Sequence, residues 1–186
     1  VTYYGLGPLS PNTVVLGATQ KEEKYPMFSE MIHLAYEKEK NVVIIKEKKD
    51  HIKNNKKKRI DVWWGGKNRH NSELMLVLSY MLQTSSSWKG SKVYLKTVVN
   101  SEAEYAKMHQ ELLSFAEYGR MHVYPEVVMA SQTGEKKDIF QDVIYPISKD
   151  ADLVLLGLKR PDGNLSAYTE YYRSLLEKTK DFSAVS

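Results

Sequence analysis

Short, almost wholly apolar runs alternate along this chain with segments of helical periodicity. The runs are Thr13–Gly17 (TVVLG), Asn41–Ile45 (NVVII), Ile60–Trp64 (IDVWW), Val93–Val99 (VYLKTVV), His122–Met129 (HVYPEVVM) and Asp152–Gly157 (DLVLLG). A strand that is apolar on both sides has to be covered on both sides. Parallel sheets sandwiched between helices meet that demand. The segments between the runs suit helices. Phe28, Met31, Ile32 and Ala35 follow Pro26 at helical spacing. Leu74, Val77, Leu78, Met81 and Leu82 make a second stripe, widened by Met75 and Leu76 so that burial on more than one side is expected. Ser101 and Glu104 form a capping-box pattern ahead of Tyr105, Met108, Leu112 and Phe115, with Gly119 as the stop. Phe140, Val143, Ile144 and Ile147 mark a further helix, and Tyr168, Tyr171, Tyr172, Leu175 and Leu176 the last. The predicted order is β-α-β-β-α-β-α-β-α-β-α, an α/β, doubly wound, mostly parallel sheet with helices on both faces, Rossmann-like.

A length of 186 residues fits a single domain, 1–186. The loop Thr84–Ser91 is the best internal boundary, so two packed halves meeting near 84–92 are the alternative. The absence of cysteine excludes disulfides, zinc-thiolate sites, cysteine nucleophiles and iron–sulfur clusters. Net charge is only +4, and much of the excess sits in Lys46–Arg59 (KEKKDHIKNNKKKR). That balance, with no aromatics interleaved among the lysines, speaks against nucleic acid as a partner. The run reads as a solvated connection between strands, or as a surface drawn to anionic lipid if a parent protein holds it near a bilayer. No stretch approaches the roughly 18 apolar residues of a membrane span. The chain opens on Val1 and not on Met, so a fragment of something longer is expected.

Catalytic and cofactor motifs fail on inspection. Gly65-Gly66-Lys67-Asn68 resembles a phosphate loop, but Asp61 stands where its first Gly belongs and Asn68 where Ser or Thr belongs. Gly5 and Gly7 precede the first strand instead of following it, which is wrong for a dinucleotide turn. The histidines (His33, His51, His70, His109, His122) fall at no metal-ligand spacing, so no metal is expected. No G-x-S-x-G elbow and no matched acid and base occur, so no catalytic residue and no enzyme activity is expected. The weak candidates for a ligand site lie after strands: Gly17 and Ala18 after the first, Gly157 after the last. Open α/β sheets bind ligands at that edge, although glycine there is also ordinary turn chemistry.

The blocks Pro11–Gly17 (PNTVVLG), Ile60–Trp64 (IDVWW), Trp88–Val99 (WKGSKVYLKTVV) and Ala151–Leu158 (ADLVLLGL), in that order around a leucine-rich helix, resemble the cytosolic C-terminal domain of the cation-chloride cotransporters. The short loops and Gly65–Arg69 in place of the animal pattern suggest a prokaryotic member. The resemblance implies a universal-stress-protein-like fold and a regulatory, dimerising role without bound cofactor. It also implies a transmembrane transport domain outside this chain as partner, a homodimer, and a place at the cytoplasmic face of the membrane. Trp63 and Trp64 would then be structural, packing on opposite faces of the sheet. The alternative is an adenine-nucleotide-binding sensor module. The motif for that use wants Asp at the end of the first strand, where Gly17-Ala18 stands, and a glycine series where Arg160 and Pro161 intervene.

Overall fold

The structure, a computed structural model, describes residues 11–47, 58–65, 69–118, 122–130, 138–161, 163–182 and 184–185. The chain falls into two compact units. The first takes Val1–Glu47 and Lys159–Lys180, and the second Lys48–Leu158 and Asp181–Val185. Residues 84–92 lie inside the second unit.

In the first unit β1 (Thr13–Gly17) and β2 (Asn41–Glu47) pair in parallel, Thr13 opposite Asn41 and Gly17 opposite Ile45. Between them runs α1 (Tyr25–Glu37), opened by Pro26 where a missing N–H costs nothing. It ends on a left-handed residue, Glu39 at φ 52°, with the Lys40 amide returning to the Ala35 carbonyl at 2.9 Å. Glycine would hold that position without strain. Helix α5 (Leu165–Lys178) starts where the Asn164 side chain accepts from the Ala167 amide at 2.7 Å. The pair α1–α5 closes over Tyr25, Phe28, Ile32, Tyr168 and Tyr172. Phe28 stacks on Tyr172 at 5.1 Å and Tyr25 meets it edge-on at 5.5 Å. The tyrosine spacing on α5 is therefore core spacing. Met31, expected in that core, is exposed, and Val15 is exposed on β1.

The second unit holds β3 (Arg59–Trp63), β4 (Lys92–Val99), β5 (Val123–Met129), β6 (Leu153–Leu156) and β7 (Ala184–Val185). All pair in parallel in the order β7-β6-β3-β4-β5. β5 is the outer strand and carries Pro125, a residue confined to strand edges because it cannot donate. Helices α2 (Arg69–Thr84) and α3 (Glu102–Tyr118) cover one face. There Ile60, Val62, Val93, Leu95, Leu112, Leu153 and Leu155 form an aliphatic core with Met75 and Leu76. A π-helical turn, Phe140–Ile144, continues into α4 (Tyr145–Ser148) over the other face. Its side chains pack with Trp63, Ala151, Val154 and Phe182. The parallel, doubly wound α/β architecture is thus as the apolar runs require.

Helix α2 is rotated from its expected phase. Ser72, Met75, Leu76 and Ser79 are buried, whereas Val77 and Met81 stand 48% and 60% exposed. On α3 Tyr105 likewise faces solvent and stacks loosely on His109 at 6.2 Å. The Ser101 hydroxyl does cap the Glu104 amide at 3.3 Å, and Glu104 reaches back to the Asn100 amide at 2.9 Å. The Gly119 stop lies outside the described residues.

Candidate functional site

Strand alternation sends Ile60, Val62 and Trp64 toward the aliphatic core and Arg59, Asp61 and Trp63 to the opposite face. Trp64 sits on that core edge-on to Phe115 of α3, ring centroids 4.6 Å apart. Trp63 packs beneath α4, and its Nε1 donates to Ser148 Oγ at 2.9 Å. The adjacent indoles therefore take opposite sides of one sheet. Each hides on the order of 200 Å², worth about 5 kcal/mol of transfer free energy before entropy is charged against it.

Beside Trp63 lies the most concentrated chemistry among the described residues. Asp61 is 0% exposed and Lys96, on the neighbouring strand, 1%. Arg59 grips the carboxylate with two donors, Nε to Oδ1 at 2.8 Å and Nη2 to Oδ2 at 2.7 Å. Ser148 Oγ donates to Oδ2 at 2.7 Å, and Lys96 Nζ stands 3.9 Å from it. Arg59 also donates to the Ile147 carbonyl at 2.9 Å. Lys96 pairs in turn with Glu126 of β5. The Asp61 carboxylate beside it holds the Arg59 guanidinium above its usual pKa. A charge taken out of water needs this degree of partnering.

Both Asp61 oxygens are engaged by donors. The network ties three strands to α4: Asp61 from β3, Lys96 from β4, Glu126 from β5, and Ser148 with Ile147 from the helix. Sequence reading did not single out these residues. The available signal was a charged residue inside an apolar run, Asp61 between Ile60 and Val62, and Lys96 within Val93–Val99.

The strand-end candidates divide between the units. Gly17 closes β1 in the first unit, and the Ala18 amide is already given to the Ile45 carbonyl at 2.7 Å. Gly157 follows β6 in the second unit, beside β3, where the strand order reverses. The Asn71 side chain of α2 lies against it, 3.7 Å from where a Cβ would stand, and donates to the Leu158 carbonyl at 3.0 Å. Ligands of open α/β sheets enter at such a reversal; here Asn71 occupies part of that space. No cluster of three or more His, Asp or Glu side chains among the described residues is placed to hold a metal ion. No described helix is long and apolar enough to cross a membrane.

Comparison with known proteins bears on this scaffold. No protein-family model matches the sequence. No curated protein matches it either. Among solved structures, the cytoplasmic domain of a prokaryotic cation chloride cotransporter superposes with a TM-score of 0.63 at 18% identity. The match covers 94% of this chain, which spans 62% of that structure's length. A universal stress protein family member from Burkholderia pseudomallei aligns over 69% of this chain and 93% of its own, at 11% identity and a TM-score of 0.44, too loose a likeness to set the fold.

Proposed function

We propose that this chain is the cytosolic regulatory domain of a prokaryotic membrane transporter that moves chloride together with sodium and/or potassium. One observation carries the reading: nearly the whole chain superposes on the cytoplasmic domain of such a cotransporter. The order of the sequence landmarks, from Pro11–Gly17 to Ala151–Leu158, points the same way. The buried charges support a scaffold over an enzyme, since Asp61, Arg59 and Lys96 are committed to one another.

In this reading the domain sits at the cytoplasmic face, joined to a transmembrane unit outside the 186 residues, and modulates transport as a pair of copies. The exposed Val77, Tyr80 and Met81 on α2 offer apolar area of the kind found at the centre of such contacts.

The direct experiment expresses the complete reading frame containing this chain in vesicles and measures chloride-dependent rubidium or sodium uptake, with and without residues 1–186. Uptake that requires chloride and changes in rate when the domain is deleted is the expected result. A reading frame without hydrophobic spans, or uptake indifferent to chloride, overturns the proposal. Calorimetric titration with ATP is the companion measurement, and micromolar binding would favour a nucleotide sensor. Sedimentation should give a mass that rises with concentration; a constant monomer mass removes self-pairing from the domain.

A further inference from the structure

All strands of the second unit run parallel, so their amino ends share one edge, and the edge at β3, β4 and β5 gathers cations and aromatic rings. The Lys92 amide bonds the Lys58 carbonyl at 2.8 Å, and Lys92 lies opposite Arg59 in the register. Lys58 Nζ sits 4.3 Å from the centre of the Trp88 ring. Lys92 Nζ lies 5.6 Å from the centre of Tyr124, a ring 49% exposed, and Tyr124 stacks on Tyr94 at 5.2 Å. Arg59 flanks Tyr94 at 5.3 Å. Lys89 is exposed in the turn leading to β4. Of the acids nearby, half-exposed Glu126 is paired with Lys96, Asp152 accepts the Arg59 amide at 2.8 Å, and exposed Asp150 precedes β6 on the far side of β3. In sequence β3 is preceded by the basic run Lys46–Arg59, whose residues 48–57 lie outside the described residues and which holds more positive charge than the whole chain's +4.

We infer that Lys58, Lys89 and Lys92, with Trp88, Tyr94 and Tyr124, form a docking surface for an anionic phospholipid bilayer. The inference rests on the reading of this chain as a membrane protein's cytosolic domain, and it names which edge meets the lipid. Tyrosine and tryptophan combine an apolar ring with a polar tip, the chemistry that settles at the headgroup layer. Lysines on flexible stems beside them reach the phosphates. Nucleic acid suits the patch less well. Stacking of splayed bases needs open ring faces, and here cations lie over Trp88 and Tyr124 while Tyr94 is stacked on its neighbour.

The test sediments the 186-residue protein with vesicles of phosphatidylcholine alone and of phosphatidylcholine mixed with phosphatidylserine. Binding only to the second, weakening as salt rises, is expected. The triple variant Lys58→Gln/Lys89→Gln/Lys92→Gln keeps the rest of the basic run, and its partition should fall on the order of a hundredfold, roughly fivefold per lysine. Tyr124→Ser should also lower it while leaving the charge intact. Equal binding to both vesicles, an unaltered triple variant, or tighter binding to a duplex DNA fragment than to phosphatidylserine overturns the inference. Chloride-dependent uptake by the complete reading frame separates the two ideas. Uptake intact with no phosphatidylserine dependence removes this docking surface alone, whereas uptake without chloride dependence removes the transporter reading.

Discussion

The first unit closes its helix pair over tyrosine and phenylalanine rings, whereas the second sinks a carboxylate, an ammonium and a guanidinium into one face of its sheet while packing aliphatic residues on the other. Ring packing is tolerant of small losses, because each contact contributes little and neighbours adjust. A buried charge network is not: remove one member and the remaining charges stay in low dielectric without compensation. The units should therefore fail for different reasons, one when its hydroxyls ionise and the other when a partner is deleted.

The largest separation should come from Asp61→Ala, which takes the bidentate carboxylate from Arg59 and leaves buried Lys96 with Glu126 as its one ion-pair partner among the described residues. A loss of about 3–5 kcal/mol is expected in the second unit. Urea unfolding followed by tryptophan fluorescence reads it directly, because Trp63, Trp64 and Trp88 all belong to that unit. An unchanged midpoint would show that the network is solvated and the contrast false. Next comes alkaline pH. Burial pushes Tyr172 up from 10.0 to about 12, and Tyr168 and Tyr171 also upward. The Thr19 amide, near Tyr172 but out of hydrogen-bonding geometry, offsets this only in part. An acid whose folded pKa lies above its unfolded one keeps its proton more tightly when folded. Its contribution is whole below pH 10 and drains away between pH 10 and 12. Tyrosinate absorbance should lag that of free tyrosine, then rise together with loss of α1–α5 helicity, and a titration without lag would contradict the buried ring cluster.

Trp63→Phe keeps most of the ring and deletes the donor to Ser148. It should cost about 1–2 kcal/mol, well short of the Asp61 effect. The smallest change is a gain: Glu39→Gly relieves a left-handed residue at the end of α1 and should stabilise the first unit by about 0.5–1 kcal/mol. A loss there would mean the Glu39 side chain contributes more than its backbone strain removes.

Much of the architecture was legible because strand burial writes itself as unbroken apolar letters. Ile60–Trp64 and Val93–Val99 could be placed without knowing their neighbours. The phase of α2 was not legible. Its residues are apolar nearly all round, so periodicity does not choose between Met75–Leu76 and Val77–Met81, and the buried face includes Ser72 and Ser79, which a hydrophobic count passes over. The charge network was hidden for another reason. Asp61 and Lys96 are 35 positions apart and meet only once β3 and β4 are set side by side with Trp63 opposite Lys96. Likewise β7, with only two residues, Ala184–Val185, is too short to show a pattern and is defined by its partner β6.

Helix α5 belongs with the amino-terminal segment, yet it is strung between two stretches of the other unit. During synthesis Tyr25, Phe28 and Ile32 leave the ribosome early and must wait, with one side of α1 bare, until Tyr168 and Tyr172 emerge more than a hundred residues later. The second unit waits as well, for Phe182 and β7, so neither body is complete until residues 165–185 have emerged.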